Sequence, residues 1–425
     1  MSFLQTKPQI SNPATGVTIL SIADSRFKRA LVSVLFELPL DSSRAARTLL
    51  LDVLQQGSAA FPSQTHLARE LQNLFGASCQ VYSERSAESH RMGFQINCLG
   101  QQFLPPGGSI LRPALDLLGG ILFDPLRGED EQLFNQGYLS LERTNLLDML
   151  AERKDNRSAY ASERFRSLMC ADEEYGKLSW GSSDEIAALS EQQLEDARLE
   201  IISDAEVTIV CSGACDLQEI ERWAEEVFSG KSKSVSLPAP EVKYPQQLRH
   251  EREYLDIEQA RLHIGMRVDP CSELMSREQL IMASSVLGGG SHGRLFQIIR
   301  EQKSLAYGIY SRLHGTKHIL SVDAGIDAQA APEVENEVFK QIELLANDGP
   351  TENEIELARA NRLNQLAAMA DSPAAMADYY LASYASGINA TPQQRADACM
   401  KVNAHQIIEC VQKWQPDLVY MLSGK

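Results

Sequence analysis

The strongest constraint on the fold is an order of predicted elements that repeats on the two sides of a linker. The linker is residues 229–249, which are rich in Ser, Lys and Pro and show little apolar periodicity. Each side opens with an apolar strand and a capped helix. These are 29–40, a Ser42/Ser43 cap and a helix ending at Gly57 on one side, and 260–268, a Ser276 cap and a helix reaching Gly288 on the other.

Both sides then continue with a second strand and two helices. These are 89–99, 111–123 and a helix with an acidic start at Glu129–Glu131, matched by 319–328, 332–346 and a helix with an acidic start at Glu352–Glu354. A tandem duplication of an α/β unit of about 200 residues is the simplest interpretation. It predicts two domains, 1–228 and 250–425. The alternative is two unrelated α+β domains that share a common element order.

Composition narrows the classes of partner and compartment. A net charge of −17 with no basic run argues against nucleic acids and anionic membranes, because both require basic patches. No window approaches 18 consecutive apolar residues, and the first residues lack the apolar region of a signal peptide. The eight cysteines are scattered and form no CxxC pair, which favours reduced thiols. We therefore expect a cytoplasmic protein.

The segment 287–311, LGGGSHGRLFQIIREQKSLAYGIYS, contains the most specific motif of the chain. Its three glycines, Gly288, Gly289 and Gly290, permit positive φ and a close approach of the backbone to another chain. Arg300 offers a rigid fork of donors, and Tyr307 has a phenol that can donate to a carbonyl or an oxyanion. These groups can hold a peptide, but none of them can cleave one.

This segment resembles the signature LGGGxxSRLFxxxREkxGLAYxxxS of the pitrilysin/insulinase metallopeptidases, and the duplication, the linker and the chain length also match that family. The resemblance implies an α+β fold of two tandem homologous α/β domains, each a mostly antiparallel sheet packed with helices. Three segments, 23–40, 70–96 and 159–186, further resemble a zinc-less bacterial group associated with aminopentanol modification of a translation elongation factor. That group pairs with a sister protein that bears the zinc motif.

Active members of the family carry the inverted zinc motif HxxEH on the first helix. Two histidines at i and i+4 lie on one helix face and bind zinc, and the Glu acts as general base. In this chain Thr48 and Asp52 occupy the histidine positions, and Leu51 occupies the Glu position. Carboxylates near Glu142 or Asp148 could serve as a third ligand, but a single ligand without the two histidines does not make a zinc site. We therefore predict no catalytic residue and no metal site in this chain.

Within the family, some subunits that have lost the histidines act beside an HxxEH-bearing partner. The resemblance therefore implies a non-catalytic subunit that contributes Gly288–Gly290, Arg300 and Tyr307 to binding a peptide or small protein, with zinc in the partner. Arg300 would hydrogen-bond the substrate carbonyl, and Tyr307 would stabilise the oxyanion. In the alternative in which both residues have only a structural role, Arg300 forms an ion pair with Glu301 or Glu356 and Tyr307 is a core aromatic residue.

Two other functions stay open, a zinc-less scaffold of a protein complex and a peptidase with an unrecognised site. A homodimer formed without the partner also stays open, because closed dimers are common. His314 and His318 have metal-ligand spacing, but Gly315 predicts a solvated turn between two strands. His292 is interpreted as a polar loop residue. Residues 78–82 correspond to the family's peptide-binding sheet edge but depart from its pattern.

Overall fold

The computed structural model describes residues 7–105, 109–129 and 132–425, which form two mixed sheets. The six strands of the first sheet are β1 Gln9–Ala14, β2 Val17–Ala23, β3 Arg29–Pro39, β4 Ser78–Ser86, β5 Ser89–Leu99 and β6 Glu206–Gly213. The five strands of the second are β7 Arg249–Tyr254, β8 Ala260–Arg267, β9 Ala306–His314, β10 Ile319–Ile326 and β11 Gln415–Ser423. We call the residues before β7 the first half and the rest the second half.

Helices pack on both sheets. Those of the first half are α1 Arg44–Leu54, α2 Gln64–Asn73, α3 Leu111–Phe123, α4 Gln136–Arg153, α5 Arg157–Met169, α6 Ser183–Ala188, α7 Glu191–Asp204 and α8 Leu217–Val227. Those of the second are α9 Leu274–Gly288, α10 Ala331–Asn347, α11 Glu352–Ala368, α12 Pro373–Ala385, α13 Pro392–Met400 and α14 Ala404–Val411, together with a π-helical segment, Phe296–Gln302. No helix within the described ranges has the length and apolar character needed to cross a bilayer.

The two sheets share one strand order. The first sheet runs β1-β2-β6-β3-β5-β4 and the second runs β7-β11-β8-β10-β9. When β1 is set aside, β2, β6, β3, β5 and β4 match β7, β11, β8, β10 and β9 one for one. In each set the first pair is parallel and the other pairs are antiparallel. The predicted α+β fold of two tandem units with mostly antiparallel sheets is confirmed.

Each sheet is covered by helices of its own half on one face and by a helix of the other half on the opposite face. Helix α12 packs on β2, β3 and β6, and α5 packs on β8 and β11. We call the face of the second sheet that α5 covers its outer face. A Cβ at Gly265 of β8 would lie 2.5 Å from Met169 Sδ and 2.6 Å from Phe165 Cζ, so α5 sits directly on the strand. Burying a side chain such as Phe165 contributes about 1.5–3 kcal/mol.

The predicted elements are found, but the predicted limits of helices α1, α9 and α4 were wrong. Helix α1 ends at Leu54 rather than Gly57, whose φ is +156°. Helix α9 is preceded by Glu273 rather than capped by Ser276, whose hydroxyl donates to the Glu273 carbonyl inside the first turn. Helix α4 starts only at Gln136, because Asn135 caps it. Of the acidic start predicted at Glu129–Glu131, residues 130 and 131 lie outside the described residues.

The turn between β9 and β10 is not solvated as predicted. Lys317 is fully buried there, and its ammonium contacts the carboxylates of Glu88 and Glu173, the latter at 2.6 Å. Its third partner is the Glu241 carbonyl at 2.6 Å. Glu173 also accepts a hydrogen bond from Arg267 at 2.7 Å. Because the predicted solvated loop docks into the first half, a buried network of charges joins the two halves.

Residues 229–248 of the predicted linker contain no helix or strand, and its last residue, Arg249, begins β7. The segment is nevertheless attached along its length. The Lys231 ammonium donates to the Ser203 carbonyl at 3.0 Å, and the amide of Val235 donates to the Asp204 carbonyl at 2.7 Å. Further along, the Tyr244 hydroxyl donates to Asp269 at 2.9 Å. The domain limits at 228 and 250 stay a prediction.

Candidate functional site

The predicted zinc-helix positions Thr48 and Leu51 on α1 lie in the interior of the first half. Leu51 is 2% exposed and packs in the main apolar cluster. Thr48 is buried, and its hydroxyl donates to the Ser179 carbonyl at 3.3 Å and lies 3.2 Å from the Ser83 hydroxyl. The Ser83 hydroxyl in turn lies 2.6 Å from His90 Nε2. Thr48, at the position of the first histidine, is thus part of a series of hydrogen bonds that runs through Ser83 to His90.

His90 is a buried histidine that the sequence did not single out. Burial lowers its pKa to about 3, and the nearby guanidinium groups of Arg47 and Arg44 act in the same direction. Its Nδ1 is buried and has no hydrogen-bond partner among the described residues. A neutral, enclosed imidazole with one nitrogen on Ser83 is held as a packing group. Its place inside β5, paired with Leu38, gave no chemical signal in the sequence.

Asp52 faces a second carboxylate. Burial and the nearby charge of Glu142 on α4 raise the pKa of Asp52 to about 7. Glu142 accepts a hydrogen bond from the Gln56 amide at 2.7 Å, which holds it at the end of α1. Of the two carboxylates considered from the sequence, the structure brings Glu142 to this position and leaves Asp148 exposed.

These residues do not fit a zinc centre. Structural and catalytic zinc sites use three or four ligands drawn from imidazole, thiolate and carboxylate. Here the matching positions supply a hydroxyl that is already bonded, a leucine in the core and one acid of a carboxylate pair. Within the described ranges, no group of three or more His, Cys, Asp or Glu residues could hold a metal ion.

The glycine loop follows α9 and packs closely on the edge strand of the second sheet. A Cβ at Gly288 would lie 2.7 Å from the backbone nitrogen of Ser311 on β9, so any larger residue would separate the helix from the strand. Gly290 has φ +128°, a conformation that side chains rarely adopt. Next to it, His292 Nε2 lies 3.1 Å from the Ser285 hydroxyl, and burial lowers the pKa of His292. The glycines therefore have packing roles within the chain.

Arg300 lies on the π-helical segment. The wider turn is marked by the Lys303 amide, which donates to the Ile298 carbonyl five residues earlier at 3.0 Å. The Arg300 guanidinium lies over the Phe296 ring, 4.5 Å from its centre, and 3.8 Å from Glu301. The contact with Glu301 is at the long limit for an ion pair, and 43% of the Arg300 side chain stays exposed.

Tyr307 projects from a β-bulge. Ala306 pairs with Ile326 and Gly308 pairs with Gly325, so Tyr307 is the extra residue between two regular pairs. The side chain is 60% exposed, which makes the core-aromatic alternative wrong. Its hydroxyl donates to Asp327 at 2.9 Å, and this hydrogen bond raises the pKa of Tyr307.

Equivalent edge strands border the two sheets. Strand β4, which contains residues 78–82, ends the first sheet, and β9, which contains Tyr307, ends the second. Tyr82 of β4 packs against the closely approaching Gly93, whose added Cβ would lie 2.7 Å from the Tyr82 ring. Tyr307 and Tyr310 of β9 are instead exposed. The edge strand β9 thus exposes its tyrosines to solvent, whereas Tyr82 of the edge strand β4 packs against its own sheet.

Comparisons with known proteins agree with this geometry. Residues 188–362 match the family described as the peptidase M16 inactive domain. A Bacillus subtilis protein named probable inactive metalloprotease YmfF is 24% identical over 416 residues, covering 96% of both chains. A conserved protein from Enterococcus faecalis has a TM-score of 0.88 at 21% identity, covering 99% of both chains. A peptidase M16 inactive domain from Pseudomonas fluorescens has a TM-score of 0.77 at 16% identity, covering 98% of both.

Proposed function

We propose that this chain, a zinc-less member of the pitrilysin (peptidase M16) metallopeptidase family, is the substrate-binding subunit of a heteromeric zinc peptidase. It would not cleave peptides alone. Its partner would be a sister subunit that bears HxxEH, and the substrate would be a peptide or a small protein. Zinc in that partner would activate the attacking water.

The observation that carries this proposal is the exposure of Arg300 and Tyr307. A large aromatic that is 60% exposed and a guanidinium that is 43% exposed contribute little to the stability of the chain itself. Both lie at positions where the backbone departs from regular geometry, a π-helical segment and a β-bulge. Such departures often re-aim side chains at functional sites.

In this role the second half would bind and orient the substrate. Among the described residues, strand β9 pairs with β10 alone, so its other edge can accept an extended peptide as an added strand. The Arg300 guanidinium would donate to a substrate carbonyl. The Tyr307 hydroxyl would exchange its bond to Asp327 for a bond to the carbonyl oxygen as negative charge develops on it.

The test is hydrolysis of a fluorogenic peptide by the chain co-expressed with an HxxEH-bearing partner. We expect Tyr307→Phe to lower kcat about 100-fold, the usual effect of removing an oxyanion donor. Arg300→Ala should mainly raise KM. The matched controls are Tyr254→Phe, which removes the hydroxyl of an exposed tyrosine on the far edge strand β7, and Arg222→Ala on α8. Both controls should keep wild-type kinetics.

Two results would replace the proposal. If Arg300→Ala and Tyr307→Phe match the wild type within error while the complex stays assembled, the chain acts as a scaffold. If the purified chain cleaves the peptide without a partner, and a chelator stops it, the chain contains its own active site.

A further inference from the structure

A shallow trough runs across the outer face of the second sheet beside Tyr307. Gly308, Gly325 and Arg261 are cross-strand neighbours on β9, β10 and β8, so they form one row. A Cβ at Gly308 would meet no atom within 4 Å. Gly308 therefore leaves bare backbone at the floor of a cavity of about 250 Å³ that Tyr307 also lines.

Arg261 places an unpaired cation in this cavity. Its Nη1 would lie 2.9 Å from a Cβ at Gly325, and the side-chain amide of Gln259 would lie 3.2 Å from the same point. The Nε of Arg261 is buried and has no hydrogen-bond partner. Throughout residues 7–105, 109–129 and 132–425, Arg261 makes no ion pair. In a chain of net charge −17, a guanidinium without an acidic partner is available to a ligand.

Among the described residues that line the cavity, Asp323 is the one acid, and it is already engaged. Asp323 accepts hydrogen bonds from the Ser321 hydroxyl at 3.2 Å and pairs with His263 Nδ1 at 2.5 Å, through its two different oxygens. His263 is fixed in turn by stacking on Phe165, with ring centres 5.3 Å apart. Both oxygens of Asp323 are therefore engaged, one by its cross-strand neighbour His263 and one by Ser321 of its own strand.

We propose that the trough is a subsite for a carboxylate of a bound peptide, either its C-terminus or an acidic side chain. The planar fork of Arg261 would pair with the two carboxylate oxygens, and Gln259 would donate from the side. The glycine floor would let the peptide backbone approach the sheet, with Tyr307 and Tyr310 along its length. This inference rests on the proposed function and names the substrate class that the second half would prefer.

Calorimetric titration of the full chain alone tests the subsite. The probes are N-acetyl tetra-alanine as the free acid and as its C-terminal amide, and N-acetyl-Ala-Glu-Ala-amide with its Gln counterpart. We expect the wild type to bind a carboxylate probe at least about 10-fold more tightly than its neutral counterpart, since charged hydrogen bonds contribute this much. Preference for the free acid would identify a C-terminus, and preference for Glu would identify a side chain.

Arg261→Gln should remove that preference, and Arg261→Lys, which keeps the charge but not the fork, should retain part of it. Arg222→Gln on α8 is the matched control and should bind as the wild type does. Equal affinity for acid and neutral probes, or no binding of either by the wild type, overturns the subsite. The wild-type comparison decides the question even if the Arg261 variants fail to fold.

The titration uses no partner subunit, so it fails independently of the hydrolysis assay. If carboxylates are not preferred but Tyr307→Phe still lowers hydrolysis, only the subsite is lost. If carboxylates bind through Arg261 while Arg300→Ala and Tyr307→Phe leave hydrolysis unchanged, the proposed function is lost and the chain retains a peptide-binding trough.

Discussion

Helices α1 and α9 follow the equivalent strands β3 and β8. The candidate site residues on α1 and those that follow α9 nevertheless have different surroundings. At α1, Thr48 and Leu51 are buried and bonded or packed within the first half. Beyond α9, Arg300 and Tyr307 stand in solvent with weak or exchangeable contacts. The two copies of one architecture therefore differ: the first packs these positions of its helix into the core, and the second leaves Arg300 and Tyr307 exposed.

The largest expected effect comes from placing an acid at Leu51 of α1. Leu51→Glu would place a carboxylate in the apolar core, and we expect it to lower the free energy of unfolding by about 4 kcal/mol. Urea denaturation followed by circular dichroism measures this change. The matched control is Leu199→Glu on α7, where the leucine is 50% exposed and the expected change is under about 0.5 kcal/mol. Equal losses in the two variants would mean that α1 has room for water, contrary to the comparison.

A smaller effect is expected at Asp52, and it depends on pH. Its folded pKa of about 7 lies above the unfolded value of about 4, so the folded state loses stability as pH rises between these two values. Asp52→Asn should therefore be more stable than the wild type near pH 8, by at most about 4 kcal/mol, and the gain should vanish near pH 4. Denaturation at several pH values measures it.

Asp148→Asn on α4 is the control for Asp52, because its carboxylate is exposed on the helix that carries Glu142. We expect no pH-dependent gain from it. If Asp52→Asn gains nothing at high pH, water reaches Asp52, and the first site is more open than the burial of its neighbours indicates.

The smallest effect concerns Tyr307 and the carboxylate of Asp327. Asp327→Asn should lower the pKa of Tyr307 toward its ordinary value, because it removes the charged carboxylate that accepts a hydrogen bond from the Tyr307 hydroxyl. Ultraviolet difference titration against the same variant carrying Tyr307→Phe isolates this phenol. Asp269→Asn is the matched control, since Asp269 accepts from the Tyr244 hydroxyl at the same 2.9 Å. It should shift Tyr244 and leave Tyr307 unchanged. An unchanged Tyr307 in Asp327→Asn would contradict the observed bond.

Patterns within a few residues predicted most of the framework. Strands β3, β5, β8 and β10 and helices α9, α10 and α11 follow from their apolar periodicity, and the acidic start at Glu352 does begin α11 with a capping box from Thr351. The error at Ser276 has a local cause, because serine inside a first turn can bond a backbone carbonyl instead of capping. The α4 start was misplaced because Asn135 was a better cap than the acids before it.

Other features depend on contacts between residues far apart in the chain. The turn before β10 was predicted to be solvated from its glycine and polar residues, but Lys317 finds Glu88 and Glu173 of the first half. The crossing of α5 onto β8 has a trace in the sequence only as Gly265, which resembles any other strand glycine. The bulge at Tyr307 also has no local signature, since it arises from the pairing of β9 with β10.

By itself, the sequence determined the duplicated α+β architecture and the departure from HxxEH at Thr48, Leu51 and Asp52, because periodicity and residue type are properties of the residues in order. Only the tertiary structure decided which groups are exposed. It buried α1 against β4 and α7, turned Tyr307 out through a bulge, and left Arg261 beside Gly325 with no ion pair to any described residue. Exposure and pairing are set by strand register and by helices that cross between halves, and no short segment of the chain encodes these.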